Sequence, residues 1–249
     1  MFRTRVARTL FQTAGKSPRG LRWLASLSFV SNERMLAAIR SGPFRPIQKA
    51  PEVLGLSRLI GRLGARSLLE IGTASGGTSL LLSRALARPG VSVSVDLKRR
   101  YNLDGLVAAY PRGVVTHLLE GDSHNPSTAD EVKRLGPAGG FDVVFIDGDH
   151  SYDGVRSDTL RFARLARPGG VVVFHDIQPL RSDDVSGLYV GGVPDWWQQL
   201  TDHSEDAESW TFVEDPEQSG FGIGVIKLPS AIHELEALVD AWARLPTRS

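Results

Sequence analysis

From Arg66 onward, short runs rich in Val, Ile, Leu and Phe alternate with longer stretches of helical spacing. The runs predict strands at Ser67–Ile71, Val91–Asp96, Val114–Glu120, Asp142–Asp147 and Val171–Asp176. The stretches between them predict helices near Gly77–Ala87, Leu103–Ala109, Thr128–Leu135 and Asp153–Ala166. Strands that are apolar without alternation belong to a parallel sheet covered on both faces. Pro168-Gly169-Gly170 reads as a turn feeding the fifth strand. After Asp176 the alternation stops. The 16 residues Ile177–Gly192 show no period and carry Gly187, Gly191 and Gly192, which makes them a candidate lid. A helix near Pro194–Leu200, strands near Trp210–Val213 and Gly222–Leu228, and a helix over Ala231–Ala243 complete the pattern. The two late strands predict a hairpin closing one sheet edge.

Composition narrows the function. With 249 residues and 41% hydrophobic content, the chain can bury a core without covalent staples. It has no cysteine, which excludes disulfides, thiolate metal sites and cysteine nucleophiles and fits a reducing, cytoplasmic setting. No apolar run approaches the ~18 residues of a membrane span. A net charge of +1 gives no general attraction to nucleic acid. The charge is uneven, however. Residues 1–32 hold six basic side chains (Arg3, Arg5, Arg8, Lys16, Arg19 and Arg22) and no acidic one. Pro18, Pro43, Pro46 and Pro51 cut this region into short pieces. We read residues 1–50 as a helical extension and 51–249 as the main domain. The apolar stretch Leu21–Val30 then packs on the body or on a second subunit, which predicts a homodimer. Contact of the basic start with a membrane surface ranks second, and a transit peptide third.

The first strand ends in Glu70-Ile71-Gly72-Thr73-Ala74-Ser75-Gly76-Gly77-Thr78. A strand, a glycine-rich turn and a helix make a nucleotide-type site at the carboxyl edge of a sheet. The spacing is not the G-x-G-x-x-G of dinucleotide enzymes, and no P-loop motif is present. Asp96 ends the second strand, where its carboxylate can accept hydrogen bonds from both hydroxyls of a ribose. Asp122 follows the third strand with Ser123, within reach of an adenine. His124 reads as a further flank of the adenine, and Ser123 or Asn125 equally as a helix cap.

These residues resemble the class I S-adenosylmethionine-dependent methyltransferases over roughly residues 50–228. The resemblance implies a doubly wound, Rossmann-like α/β fold with a seven-stranded sheet whose last strand is antiparallel. It also implies that S-adenosylmethionine is held by Glu70, Gly72, Thr73, Ser75, Gly76 and Thr78 of the turn. Asp96, Asp122, Ser123 and Asp147 complete that donor site.

The fourth strand runs into Asp147-Gly148-Asp149-His150, and the fifth into His175-Asp176. Sequential strands of this kind are neighbours, so these ends converge. Carboxylates gathered without cysteine suit a hard cation. The segment is similar to the metal-dependent sugar O-methyltransferases that tailor macrolides, and to cephalosporin-modifying relatives. The resemblance implies Asp147 and Asp176 as ligands to Mg²⁺, and His150 as the general base. His175 departs from the pattern, since an acidic residue often stands there; as a softer ligand it would hold the metal more weakly or let Mn²⁺ and similar ions compete, and support of the ligands is its equal alternative. The implied reaction is methyl transfer to a hydroxyl oxygen of a sugar or saccharide. A catechol or other small phenol is the alternative acceptor, and a donor-binding protein without chemistry the alternative class. Trp196, Trp197 and Tyr189 are candidates for stacking on sugar rings, with an aromatic anchor as the competing role. Arg156, Arg161, Arg164 and Arg167 read as a solvated face.

Overall fold

The computed structural model describes residues 13–27, 30–40, 42–98 and 106–247. Arg3, Arg5 and Arg8 lie outside that range, as do residues 28 and 29 and the start of the helix expected over Leu103–Ala109. The helices are α1 (Pro18–Ser26), α2 (Asn32–Ile39), α3 (Ala50–Arg62), α4 (Gly77–Ser83), α5 (Pro126–Leu135), α6 (Tyr152–Phe162), α7 (Val193–Asp202) and α8 (Ile232–Ala243). The strands are β1 (Ser67–Ile71), β2 (Gly90–Asp96), β3 (Val114–Glu120), β4 (Phe141–Ile146), β5 (Ala166–His175), β6 (Ser209–Phe212) and β7 (Ile223–Lys227). They form one sheet in the order β3-β2-β1-β4-β5-β7-β6. The first five are parallel, and β7 lies antiparallel between β5 and β6. The predicted sheet and its edge hairpin are therefore present. The sheet reverses direction of winding at β1, where β2 lies on one side and β4 on the other, and ligands bind at such a switch point in open sheets.

Each face of the sheet has its own core. Leu68, Val143, Phe145 and Val173 pack under α1 to α4. Leu69, Ile71, Val144 and Phe174 pack under α6 to α8. Leu21 and Leu24 of α1 have no exposed surface. Each gains about 1.5–3 kcal/mol from that burial within its own chain. Leu21, Leu24, Ala25 and Val30 are thus sheltered within the chain, whereas Trp23 of the same stretch is 47% exposed; the homodimer stays an expectation of the sequence. No helix among the described residues is long and apolar enough to cross a membrane.

Three local expectations are corrected. Pro168-Gly169-Gly170 is not a turn before β5; the strand already starts at Ala166, opposite Phe141, and slips register before Val171. The irregular geometry, with φ +73 at Gly169, accommodates a bulge that reads like a turn in sequence. Trp196 and Trp197 belong to the core: Trp196 is fully buried and donates from Nε1 to Thr159 Oγ1 at 2.9 Å. Trp197 covers Gly224, where a Cβ would fall 2.6 Å from the indole ring. Of the four arginines read as a solvated face, Arg164 is exposed, while Arg156, Arg161 and Arg167 are half-buried. Arg156 donates to the Ala243 carbonyl at 2.6 Å, Arg161 to the His124 carbonyl at 3.0 Å, and Arg164 and Arg167 pair with Asp240 and Asp142. They staple α6 and β5 to their neighbours, a role set by tertiary contacts that local spacing does not reveal.

Candidate active site

Backbone hydrogen bonds fasten the glycine turn to the switch point. Gly72 N–H donates to the Val95 carbonyl at 2.8 Å, and Asp147 N–H donates to the Ile71 carbonyl at 2.8 Å. Gly72 has φ +94, and a Cβ there would lie 1.9 Å from the Asp147 carbonyl oxygen. Only glycine lets the two strand ends approach this closely. Gly76, at φ +77, caps α4. Asp96 accepts from the Ala74 N–H at 2.7 Å and from Lys98 N–H at 3.2 Å, so it braces the turn from the end of β2. Thr73 and Thr78 are buried, and Ser75 is half-buried.

Glu70 lies behind this turn rather than on its open side. Its side chain has no exposed surface and sits beside Ser79, Ser94 and Tyr110. Burial pushes its carboxyl up to about 8, and the nearby Asp147 and Asp96 charges add to the rise against the lowering effect of the two serines. A carboxyl whose folded pKa is raised favours folding at low pH, so that contribution is lost as pH climbs from about 4.5 through about 8. Glu70→Gln removes this titration. Thermal unfolding at a series of pH values is expected to show the variant matching the parent at pH 5 and melting several degrees higher at pH 9. A constant difference between the two across that range would contradict the assignment.

Beyond β3, Asp122 is exposed and folds its own loop by accepting from the His124 N–H at 2.9 Å. Asn125, not Ser123, caps α5. Ser123 and His124 face α6, where His124 Nε2 lies 3.6 Å from Asp158 Oδ1. Asp158 is fully buried, and burial raises its carboxyl to about 6. Nothing in the local sequence distinguishes Asp158 from an ordinary helix acid, so it was not foreseen.

The ends of β4 and β5 meet as predicted. His175 Nδ1 lies 3.1 Å from Asp147 Oδ1 and 3.3 Å from Asp176 Oδ2. His150 stands across from them, with Nε2 3.4 Å from Asp147 Oδ1 and Nδ1 3.3 Å from Asp176 Oδ2. Ser151 caps α6 through a hydrogen bond from Gly154 N–H at 3.0 Å, which leaves His150 in the loop ahead of the helix. Asp176 takes φ +60, a left-handed conformation that Asp tolerates better than most residues. That bend ends β5 and turns its carboxylate back toward Asp147.

The electrostatics are those of two acids sharing two bases. Burial opposes charge on His175, but Asp147 and Asp176 outweigh it and push the imidazole up to about 10. A hydrogen bond to Asp147 is the main reason that His150 rises to about 9. Burial works to raise the Asp147 carboxyl, and the two histidines overcome it and hold it below its ordinary value. Asp147, His175 and Asp176 each offer a ligand atom within 4.8 Å of the others. Asp176 Oδ1 and His175 Nε2 are buried without a hydrogen-bond partner among the described residues. Two carboxylates, an imidazole and two orphaned buried polar atoms fit a divalent cation.

Residues 177–192 contain no helix or strand and run over this site. The Tyr189 carbonyl lies 3.1 Å from His150 Nδ1, and the Tyr189 ring stacks parallel to the imidazole at 6.5 Å. Gly192 N–H donates to the His150 carbonyl at 2.8 Å. Phe221 packs edge-on against His175 from the other side, with centroids 6.1 Å apart. Phe221 and Gln48, described below, are site residues that sequence reasoning missed. Phe221 has φ +60 between Gly220 and Gly222, and its Gly-x-Gly flank is the signal in the sequence that points to it.

Residues 69–177 match a family described as a methyltransferase domain. A protein of Mycobacterium avium (strain 104), named provisionally as an O-methyltransferase, is 30% identical over 160 residues, which cover 59% of this chain and 65% of that one. Tricin synthase 2 of Oryza sativa subsp. japonica is 27% identical over 159 residues, covering 63% of this chain and 51% of its own. The chain spans about half the length of several curated relatives it matches. Among solved structures, the O-methyltransferase TomG of Streptomyces achromogenes aligns with a TM-score of 0.54 and 24% identity, over 73% of this chain and 81% of that one. Residues 69–177, from within β1 to just past β5, are thus similar in sequence to a methyltransferase domain, and the chain shares the fold of TomG.

Proposed function

We propose that the chain transfers a methyl group from S-adenosylmethionine to a hydroxyl oxygen of a saccharide, at a position with a second oxygen beside it. The observation that carries this reading is His150 set against Asp147 and Asp176, next to the glycine turn. In this reading residues 51–249 make the catalytic domain and 1–50 an extension laid on it. The relatives' names and the TomG complex with its donor support the donor and the atom methylated.

The donor carries its methyl on a sulfonium that leaves as a neutral thioether, so the chain's task is alignment and proton removal. Gly72, Thr73, Ser75, Gly76 and Thr78 line the turn on which the donor rests. Asp96 accepts from the ribose hydroxyls with the lone pairs left free by Ala74 and Lys98, and Asp122 and Ser123 border the adenine. Asp147, His175 and Asp176 would hold Mg²⁺ or Mn²⁺, which when bound stabilises negative charge on an adjacent oxygen. His150 takes the acceptor's proton. Nδ1 faces the Tyr189 carbonyl and Nε2 faces Asp147 Oδ1, both of which can only accept, so the imidazole holds its proton to about 9 while Asp147 is free to pair with it. In the neutral ring the Tyr189 carbonyl keeps the proton on Nδ1, and Nε2 is the nitrogen that takes the hydroxyl proton once a cation engages Asp147. The 177–192 segment keeps water from that exchange.

Asp96→Ala removes two charge-assisted hydrogen bonds to the ribose, each worth about 1.5–3 kcal/mol. Calorimetry with S-adenosylhomocysteine is expected to show affinity lowered by at least tenfold, and unchanged affinity would take Asp96 out of the donor site.

A phenolic acceptor is the second reading. It is favoured by tricin synthase 2 and by caffeoyl-CoA O-methyltransferase 2 of Zea mays, which is 31% identical over 119 residues. Methylation of a panel of sugars, vicinal diols and catechols, read by product mass, separates the two. Transfer to saccharides supports the first reading and transfer to catechols alone the second. No transfer to any hydroxyl compound, with the donor bound, would leave neither.

A further inference from the structure

The segment just before α3 touches each part of the site. Ser75 Oγ donates to the Arg45 carbonyl at 2.6 Å, and a Cβ on Gly77 would lie 1.9 Å from the Phe44 carbonyl oxygen. Lys49 Nζ lies 5.3 Å above the Phe221 ring. Glu52, fully buried, accepts from the Gly222 N–H at 3.1 Å and from Gln218 Nε2 at 2.9 Å. Between these contacts stands Gln48, which is almost fully buried. Its Nε2 donates to Asp147 Oδ2 at 2.7 Å, and its Oε1 accepts from the Thr78 hydroxyl.

We infer that Gln48 is a positioning residue that ties the donor turn to the cation-binding carboxylate. The inference rests on the proposed metal site and goes beyond it. An ionised carboxylate can only accept, so Asp147 dictates which end of the Gln48 amide faces it. The other end is then a carbonyl, which requires Thr78 to donate. Both rotors are fixed by one charge. The result is that Asp147 Oδ2 is occupied from the strap, and Oδ1 is left toward His150, His175 and the cation position. A partner that orients a ligating carboxylate in this way typically contributes 10–100-fold to metal affinity. Thr78 stands in the first turn of α4, so any shift of that turn on donor binding reaches Asp147 through a single side chain. Occupancy of the donor site and of the cation site is therefore coupled, and the coupling is reciprocal.

Manganese affinity, followed by the resonance of free Mn²⁺ with and without saturating S-adenosylhomocysteine, tests this in the full chain. Calorimetry of S-adenosylhomocysteine and thermal unfolding run in parallel. The parent protein is expected to bind Mn²⁺ more tightly, severalfold, when the donor product is present. Gln48→Ala is expected to lower Mn²⁺ affinity by about 10–100-fold and to abolish the effect of the donor product, with metal-free donor-product affinity held within threefold. Thr78→Val, which removes only the hydroxyl proton donor, reproduces the loss of coupling. Gln48→Glu places a second anion against Asp147 and does not rescue either property. Mn²⁺ affinity within twofold of the parent in both folded variants overturns the inference while leaving the metal site standing. A lower melting temperature with Mn²⁺ affinity unchanged likewise overturns it and assigns Gln48 to folding. A parent protein that binds no Mn²⁺ defeats the metal site and this inference together.

Discussion

His150→Ala is expected to turn over about 10²–10⁴-fold more slowly, the range for removal of a general base. The side chain stands within 3.4 Å of both site carboxylates, and the backbone of the covering segment holds it from the far side. S-adenosylhomocysteine affinity should be unchanged, because His150 contacts no residue of the glycine turn among the described contacts. The effect should therefore appear in kcat. His150→Gln keeps the hydrogen bond to the Tyr189 carbonyl but cannot accept a proton at neutral pH, so it should be as slow as the alanine variant. Single-turnover kinetics with labelled donor measure this directly. A loss below about tenfold in both variants would remove His150 from the base role.

Asp176→Asn should lower divalent-cation affinity by at least as much as loss of an orienting partner does, about 10–100-fold or more. Asparagine is the right substitution because residue 176 has φ +60, where Asn is tolerated and Ala is strained. The amide keeps the shape and removes the charge. In the parent protein the cation competes with protons, since His150 holds its proton to about 9 and His175 to about 10. Raised imidazole values mean that the charged network stabilises the metal-free fold below about pH 6.5 and loses that contribution as pH rises through 9 to 10. Cation affinity should accordingly increase between pH 6 and pH 9, with protons released on binding. Calorimetry in buffers of different ionisation heat gives both quantities. Affinity independent of pH, or equal in Asp176→Asn, would contradict a site built on these groups.

Much of the sheet was legible because β4 and β5 are apolar runs, β1 to β3 are rich in Leu and Val, and each ends in a polar or glycine signal. Asp147, His150, His175 and Asp176 were legible for the same reason: parallel strands deliver their carboxyl ends to one edge, so neighbours in space follow from strand order. What the chain hid was contact between distant segments. Gln48 is an unremarkable polar residue in a proline-broken stretch, and its meaning lies in Asp147, 99 positions away. Trp196 and Trp197 suggested a binding surface because aromatic pairs serve cores and ligands alike, and only Thr159 and Gly224 decide between them. The β5 bulge and the arginine staples were missed for a related reason: a Pro-Gly-Gly and a spaced row of arginines carry local meanings that tertiary packing overrides.

If Asp147, His150, His175 and Asp176 make a cation-assisted methyl-transfer site, removal of the metal stops the reaction. Enzyme stripped of metal by chelation and dialysis is given methyl-labelled S-adenosylmethionine and the best acceptor from the panel, and labelled product is counted by mass before and after Mg²⁺ or Mn²⁺ is restored. The expected result is product at the level of the uncatalysed control without metal and full turnover on addition, with the donor bound in both states and only severalfold tighter once the metal is restored. Full turnover in excess chelator, with metal removal verified on the same sample, would contradict it.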